Sequence, residues 1–261
     1  KKNRLYKPII LFCIIEKMED EWCIKVFDTA KNKLPQTKGM ELGIIPKFPS
    51  MLLLVGKSGS GKSNLLVNLV KDQDLLGSDF FDEIYFVSPT AEMDDLTIHL
   101  SLKPENLWSD LEKAIGDLEI LLDNQAFDIE RYGILGTKKI LVLVDDCVGN
   151  KAFIKSDILT KMSIHGRHNL ISTVICTQSY TKVPRVIRLQ AAGLAIFPSS
   201  QSEIKLLIED YCPAGYTKKA FEKIVSFATD KPFQFLFIQN HCKKMCDRYR
   251  KNLGLIIDLN E

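Results

Sequence analysis

No apolar run in this chain approaches the roughly 20 residues that a helix needs to cross a bilayer. The run Ile9-Ile-Leu-Phe-Cys-Ile-Ile15 is short, and the charged stretch Glu16 to Glu21 follows it without small, cleavage-like residues. It predicts a buried strand rather than a signal core. An excess of either charge is lacking as well: 35 Lys and Arg face 33 Asp and Glu, a net charge of +2. Nucleic-acid binding therefore cannot be read from net charge and would need a local basic patch. Nor is there a cysteine framework. The seven cysteines are odd in number and scattered, which points to a reducing, intracellular compartment. Internal repeats and low-complexity segments are absent, which excludes a repeat array. The sequence begins at Lys1 rather than at a methionine, as a fragment or a processed chain does.

What is present is an ordinary globular composition, 46% hydrophobic and 26% charged over 261 residues. That is enough for one large core, or a core with an appendage. The chain is organised around Met51-Leu-Leu-Leu-Val-Gly-Lys-Ser-Gly-Ser-Gly-Lys-Ser63. An apolar strand leads into a glycine loop, and a helix starts at Lys62. The loop fits G-x-x-x-x-G-K-[ST], the phosphate-binding P-loop. Gly56, Gly59 and Gly61 let the backbone turn tightly, and Lys57, Ser58 and Ser60 add their amides to a nest for phosphate. Lys62 supplies a point charge near the β- and γ-phosphates, and the Ser63 hydroxyl is a hard oxygen ligand suited to Mg²⁺.

Around this loop the pattern alternates. Strands are predicted at Pro8 to Ile15, Glu21 to Phe27, Ile84 to Val87, Ile140 to Val144, Leu170 to Gln178, Gly193 to Pro198 and Phe233 to Gln239. Helices are predicted at Leu107 to Leu122, Phe153 to Ile164, Glu203 to Asp210 and Lys218 to Ala228. The expected fold is α/β, a P-loop NTPase of the RecA-like kind. It has a mostly parallel sheet between helices and a small N-terminal β element. Residues 1–35 form that element and 36–261 the P-loop domain. Polar groups collect after Val55, Val144 and Cys176, at strand carboxyl ends, where an open α/β sheet binds ligand.

Asp145 ends its strand as a Walker-B aspartate does and is placed to hold Mg²⁺ opposite Ser63. Asp146 beside it can orient or deprotonate an attacking water, which suits hydrolysis. Such a pair also serves simply as a strand-end turn. Gln178 ends the next strand, where its amide can contact the γ-phosphate or the lytic water; a capping role is the plainer reading. Arg167, in Ser163-Ile-His-Gly-Arg-His168, is the candidate arginine finger for a neighbouring subunit's nucleotide, with Arg185 and Arg188 as rivals. A solvated arginine or a structural ion pair is the alternative for each. The basic groups Lys243, Lys244, Arg248, Arg250 and Lys251, and Lys151, Lys155 and Lys161, are candidate nucleic-acid contacts or solvated faces. His165 and His168 lack acidic or cysteine partners at ligand spacing. His241-Cys-Lys-Lys-Met-Cys246 lacks a fourth ligand, so zinc is not assigned.

Taken together, these stretches resemble the FtsK–HerA superfamily of P-loop ATPases, and most closely the poxvirus-type genome packaging ATPases of large DNA viruses and virophages. The matching segments are Leu53 to Ser63, Phe81-Asp-Glu-Ile-Tyr-Phe-Val-Ser-Pro-Thr90, Ile140-Leu-Val-Leu-Val-Asp-Asp-Cys147 and Gly166-Arg-His-Asn-Leu-Ile-Ser-Thr-Val-Ile-Cys-Thr-Gln-Ser-Tyr180. The resemblance implies ATP hydrolysis with Mg²⁺, a homo-oligomeric ring (hexamer or pentamer), double-stranded DNA in its channel and delivery of a genome into a preformed capsid. It also implies work in the host cytoplasm, at the virus factory, or in the virion. By position it implies phosphate binding at Gly56 to Ser63, Mg²⁺ at Ser63 and Asp145, water activation at Asp146, a sensor at Gln178 and a trans finger at Arg167. Many superfamily members carry Glu where this chain has Asp146, whose carboxylate reaches about one methylene less far.

Two other classes stay open. A nucleotide or small-molecule kinase needs an acceptor pocket and an arginine-bearing lid, and no segment reads as either. A ring subunit that binds nucleotide only for assembly has no need of Lys62, Asp145 and Asp146 together. A GTPase switch would need Asn-Lys-x-Asp, and Asn150-Lys-Ala-Phe153 lacks the Asp.

Overall fold

Every residue of β1 (Met51–Val55) is buried, which requires cover on both sheet faces. Alternation then divides the strand between two cores. Met51, Leu53 and Val55 join one apolar cluster, and Leu52 and Leu54 join the other. β4 (Ile140–Asp145) divides the same way, with Ile140, Val142 and Val144 on one face and Leu141 and Leu143 on the other. The protein is represented by a computed structural model that describes residues 33–92, 95–242 and 247–257. The expected strands Pro8 to Ile15 and Glu21 to Phe27 lie outside the described residues.

The remaining strands are β2 (Glu83–Val87), β3 (Leu107–Trp108), β5 (Ile171–Thr177), β6 (Gly193–Ile196), β7 (Leu236–Gln239), β8 (Tyr249–Lys251) and β9 (Leu255–Ile256). Their order across the sheet is β3-β2-β4-β5-β1-β6-β7-β8-β9. The pairings from β3 through to β6 are parallel, and β7, β8 and β9 add antiparallel to one another. The expected mostly parallel α/β sheet is what the chain forms. β4, β5 and β1 are adjacent, with Asp145 opposite Cys176 and Val55 opposite Thr177. Three strand ends therefore open onto one place.

Helices cover both faces: α1 (Lys38–Glu41), α2 (Lys62–Lys71), α3 (Asp95–Leu100), α4 (Leu111–Tyr132), α5 (Lys151–Lys155), α6 (Ile158–His165), α7 (Arg185–Gln190), α8 (Gln201–Tyr211) and α9 (Lys218–Ala228). No helix among the described residues is long and apolar enough to cross a membrane.

Several boundaries differ from expectation. The helix predicted from Leu107 starts later, because Leu107–Trp108 pair with β2 and Asp110 caps α4 by accepting from the Glu112 and Lys113 amides. It then runs on to Tyr132. The helix predicted over Phe153 to Ile164 is two helices. Asp157 adopts a left-handed backbone (φ 58°), and the Ser156 hydroxyl closes off α5 by donating to the Phe153 carbonyl. Phe233 does not begin a strand but sits in a turn ahead of β7.

Candidate functional site

A cleft of about 250 Å³ opens at the carboxyl ends of β1, β4 and β5. Lys62, Ser63, Asp145, Asp146, Gln178 and Phe233 are among the residues that line it. Three backbone bonds hold the ends together: Gly56 N donates to Thr177 O (3.1 Å), Asp146 N to Cys176 O (3.2 Å) and Phe197 N to Val55 O (2.8 Å).

The loop from Gly56 to Gly61 is shaped by what has no room there. A Cβ at Gly56 would lie 2.5 Å from Ser60 Oγ and 2.8 Å from Phe197 Cβ. Gly61 has φ +103°, a conformation strained for any residue with a side chain. Gly61 is also the N-cap of α2, and no side chain caps that end, so its first amides are left for a ligand. The buried Ser60 Oγ has no hydrogen-bond partner. Lys62 is buried and folded back over the loop, its Nζ donating to Gly56 O (2.6 Å) and Lys57 O (3.1 Å). The loop is thus closed around its own cation, with uncapped amides and an orphan hydroxyl beside it. This arrangement fits the phosphates of a nucleotide.

On the opposite wall, Gln178 Nε2 donates to Asp146 Oδ2 at 2.9 Å. The expected base and the expected sensor are therefore in contact, each orienting the other. Asp146 reaches this position through a left-handed backbone (φ 52°) as β4 ends. Asp145, half-buried, lines the cleft beside it. The hydroxyl of Ser63 and the carboxylate of Asp145 are hard oxygen donors, a set that fits Mg²⁺. The neighbouring Cys147 is a structural group. Burial, then the charges of Asp145 and Asp146, push its thiol well up, and it donates to Val87 O and Asp145 O. It stays a thiol and is not a nucleophile.

The arginines separate sharply. Arg167 is exposed in the turn between α6 and β5, at the amino end of β5. It is not among the described residues that line the cleft of its own chain. The turn that carries it is braced: Asn169 Nδ2 donates to Leu122 O, and Gln125 Nε2 donates to Asn169 O and Lys138 O, all at 2.9 Å. Partial burial, then the charge of Arg167, lowers the pKa of His241. Arg185 is exposed at the start of α7.

Arg188 is excluded as a finger, because it is buried and committed within its own chain. Its Nη1 lies 3.2 Å from Asp210 Oδ2, its guanidinium sits 5.0 Å from the centre of the Tyr180 ring, and Tyr180 donates to the same Asp210 oxygen at 2.8 Å. Removing one partner of a buried pair strands the other charge. Arg188→Ala should cost about 3–5 kcal/mol in urea unfolding. Adding Asp210→Ala should recover part of that loss; a cost within about 0.5 kcal/mol, typical of a surface site, would refute the assignment.

The expected basic patch near the C-terminus is also largely consumed. Arg250 is buried and donates to Leu253 O and Gly43 O. Lys251 pairs with Asp230 at 2.7 Å, and Arg248 donates to Asn240 Oδ1. Lys161 pairs with Glu119, whereas Lys151 and Lys155 are exposed on α5. Lys243, Lys244 and Cys246 lie outside the described residues. Sequence reasoning did not single out Phe233 or Asn64, both of which line the cleft. Asn64 follows the motif directly and was findable by extension. Phe233 is distant in sequence, and the signal that could have found it is Pro232, a turn former directly before it.

No curated protein sequence matches this chain. Among solved structures, the DNA-packaging ATPase B204 from Sulfolobus turreted icosahedral virus superposes with a TM-score of 0.50 at 12% identity, over 73% of this chain and 93% of that one. The genome packaging NTPase B204 from Sulfolobus turreted icosahedral virus 2, in complex with AMPPCP, gives 0.45 at 16% identity, over 73% and 92%. The cytoplasmic domain of the type VII secretion ATPase EccC from Thermomonospora curvata gives 0.50 at 12% identity, over 74% of this chain and 23% of that one. At these identities the likeness is one of fold. The family model of the poxvirus A32 protein, however, matches residues 45–246, a span holding the P-loop, both strand-end aspartates, Arg167 and Gln178. This chain therefore belongs to the poxvirus A32 protein family, the packaging-ATPase group that its motifs resemble.

Proposed function

We propose that this protein is an ATP-hydrolysing motor that translocates double-stranded DNA and packages a viral genome into a preformed capsid. The observation that carries the proposal is the convergence of Lys62, Ser63, Asp145, Asp146 and Gln178 on one cleft at adjacent strand ends. A kinase would need an acceptor site there, and the wall facing the P-loop is instead a carboxylate bonded to an amide. The family membership, and the packaging role given for the structurally similar B204 of the turreted icosahedral virus, support the choice of DNA.

In this reading the α2 amides and Lys62 hold the β- and γ-phosphates. Gln178 and Asp146 position a water against the γ-phosphorus. The water oxygen bonds to phosphorus, the bond from phosphorus to the β–γ bridging oxygen breaks, and Asp146 takes the proton released by the water. Ser63 and Asp145 would hold Mg²⁺, which supplies charge neutralisation for the phosphates when bound. Arg167 of a neighbouring subunit completes the site, so the working form is a homo-oligomeric ring, a hexamer or a pentamer. Capsid proteins are its further partners, and it works in the host cytoplasm or the virion.

The test is the rate of ATP hydrolysis per subunit against protein concentration, with and without double-stranded DNA. A rate that rises with concentration, and again with DNA, is expected. A rate flat in both would overturn the motor reading in favour of a self-contained nucleotide site.

A further inference from the structure

Among the described residues, Phe233 is the one large apolar side chain on the cleft wall, and 65% of it is exposed to solvent. Its backbone is left-handed (φ 65°), in a turn where Gln234 N bonds back to Lys231 O and Pro232 sets the first corner. Glycine or asparagine belongs at that corner; a phenylalanine there is strained. The ring is mostly in water, so its burial among the described residues offsets little of the strain. Its close neighbour is the P-loop itself: Phe233 Cδ1 lies 3.1 Å from where a Gly61 Cβ would be.

The turn is fixed on both sides. Asp230, before it, pairs with Lys251. After it, Phe235 N donates to Asn252 Oδ1 (3.2 Å), and Asn252 N donates to Phe235 O (2.8 Å). A strained aromatic is therefore held at a set place beside the phosphate loop.

The sheet order says which end of a nucleotide meets it. The groups that act on the γ-phosphate, Asp145, Asp146 and Gln178, follow β4 and β5, on one side of β1. Phe233 precedes β7, on the other side of β1, beyond β6. A nucleoside triphosphate with its γ end at Asp146 extends its base the opposite way. We infer that Phe233 is the base-binding residue of this site, stacking its ring on the base of a bound nucleoside triphosphate. The inference rests on the nucleotide site proposed above and adds the recognition of its base. It gives the cleft an apolar platform that inorganic phosphate chains do not use.

The experiment measures binding of Mg²⁺–ATP and of inorganic tripolyphosphate to wild type, Phe233→Ala and Phe233→Tyr by calorimetry. Wild type should bind ATP more tightly than tripolyphosphate. Phe233→Ala should weaken ATP about tenfold, as loss of a stacked base does, and leave tripolyphosphate unchanged. Phe233→Tyr should restore the wild-type value for ATP. Unchanged ATP affinity in Phe233→Ala overturns the assignment. An equal loss for both ligands overturns it too, since the ring would then be shaping the phosphate loop. Wild-type protein that binds tripolyphosphate no less tightly than ATP removes the base from recognition altogether. If wild type binds neither ligand, the nucleotide site itself falls, and this assignment with it.

Discussion

Lys62→Ala should take ATP turnover to background, a loss of at least about a hundredfold, the scale for deleting a preorganised donor to a charge-developing centre. So large an effect is expected from a single amine because of where it is held. Its Nζ is already inside the loop, held by Gly56 O and Lys57 O. The buried stem of Lys62 also keeps the ammonium from wandering into solvent. Lys62→Arg should not rescue, because a planar fork does not fit where a compact ammonium reaches two carbonyls. A coupled assay for released phosphate decides it, with circular dichroism to show that each variant is folded. Substantial turnover in Lys62→Ala would mean that the cleft is not the hydrolytic site.

The second large effect concerns Arg167. An arginine supplied in trans is worth about 10³–10⁵ in turnover, because it neutralises charge that exists only in the transition state. Arg167→Ala should therefore retain nucleotide affinity and lose hydrolysis. Its place at the amino end of β5, away from its own chain's cleft, makes a sharper test possible. Mixing Arg167→Ala with Lys62→Ala protein should restore part of the activity, since some interfaces then pair an intact P-loop with an intact arginine. Absence of recovery, together with weakened nucleotide binding by Arg167→Ala alone, would move the role to Arg185, because Arg188 is committed to Asp210.

The parts of the site proposed to touch phosphate are legible in the sequence because a phosphate-binding loop dictates their spacing. Gly56 to Ser63 must be contiguous, and Asp145 and Gln178 must each end an apolar strand. Continuous apolar strands likewise announced a sheet covered on both faces. What was hidden depends on distant partners. The run Lys243 to Lys251 reads as a solvated charge stretch, yet Arg250 is buried because Gly43 O, 207 residues away in sequence, needs a donor. The break at Asp157 leaves no mark in an apolar periodicity that continues through it. Phe233 read as strand because Phe, Leu and Ile follow it. Its left-handed turn becomes visible only once Lys251, at the end of β8, and Asn252, just past it, are seen to brace it.

Glu203 accepts from Tyr180 N through one carboxylate oxygen and from Ser200 N, at the start of α8, through the other. Tyr180 is only two residues past Gln178. A single buried carboxylate therefore rivets the segment that follows Gln178 to the first turn of α8.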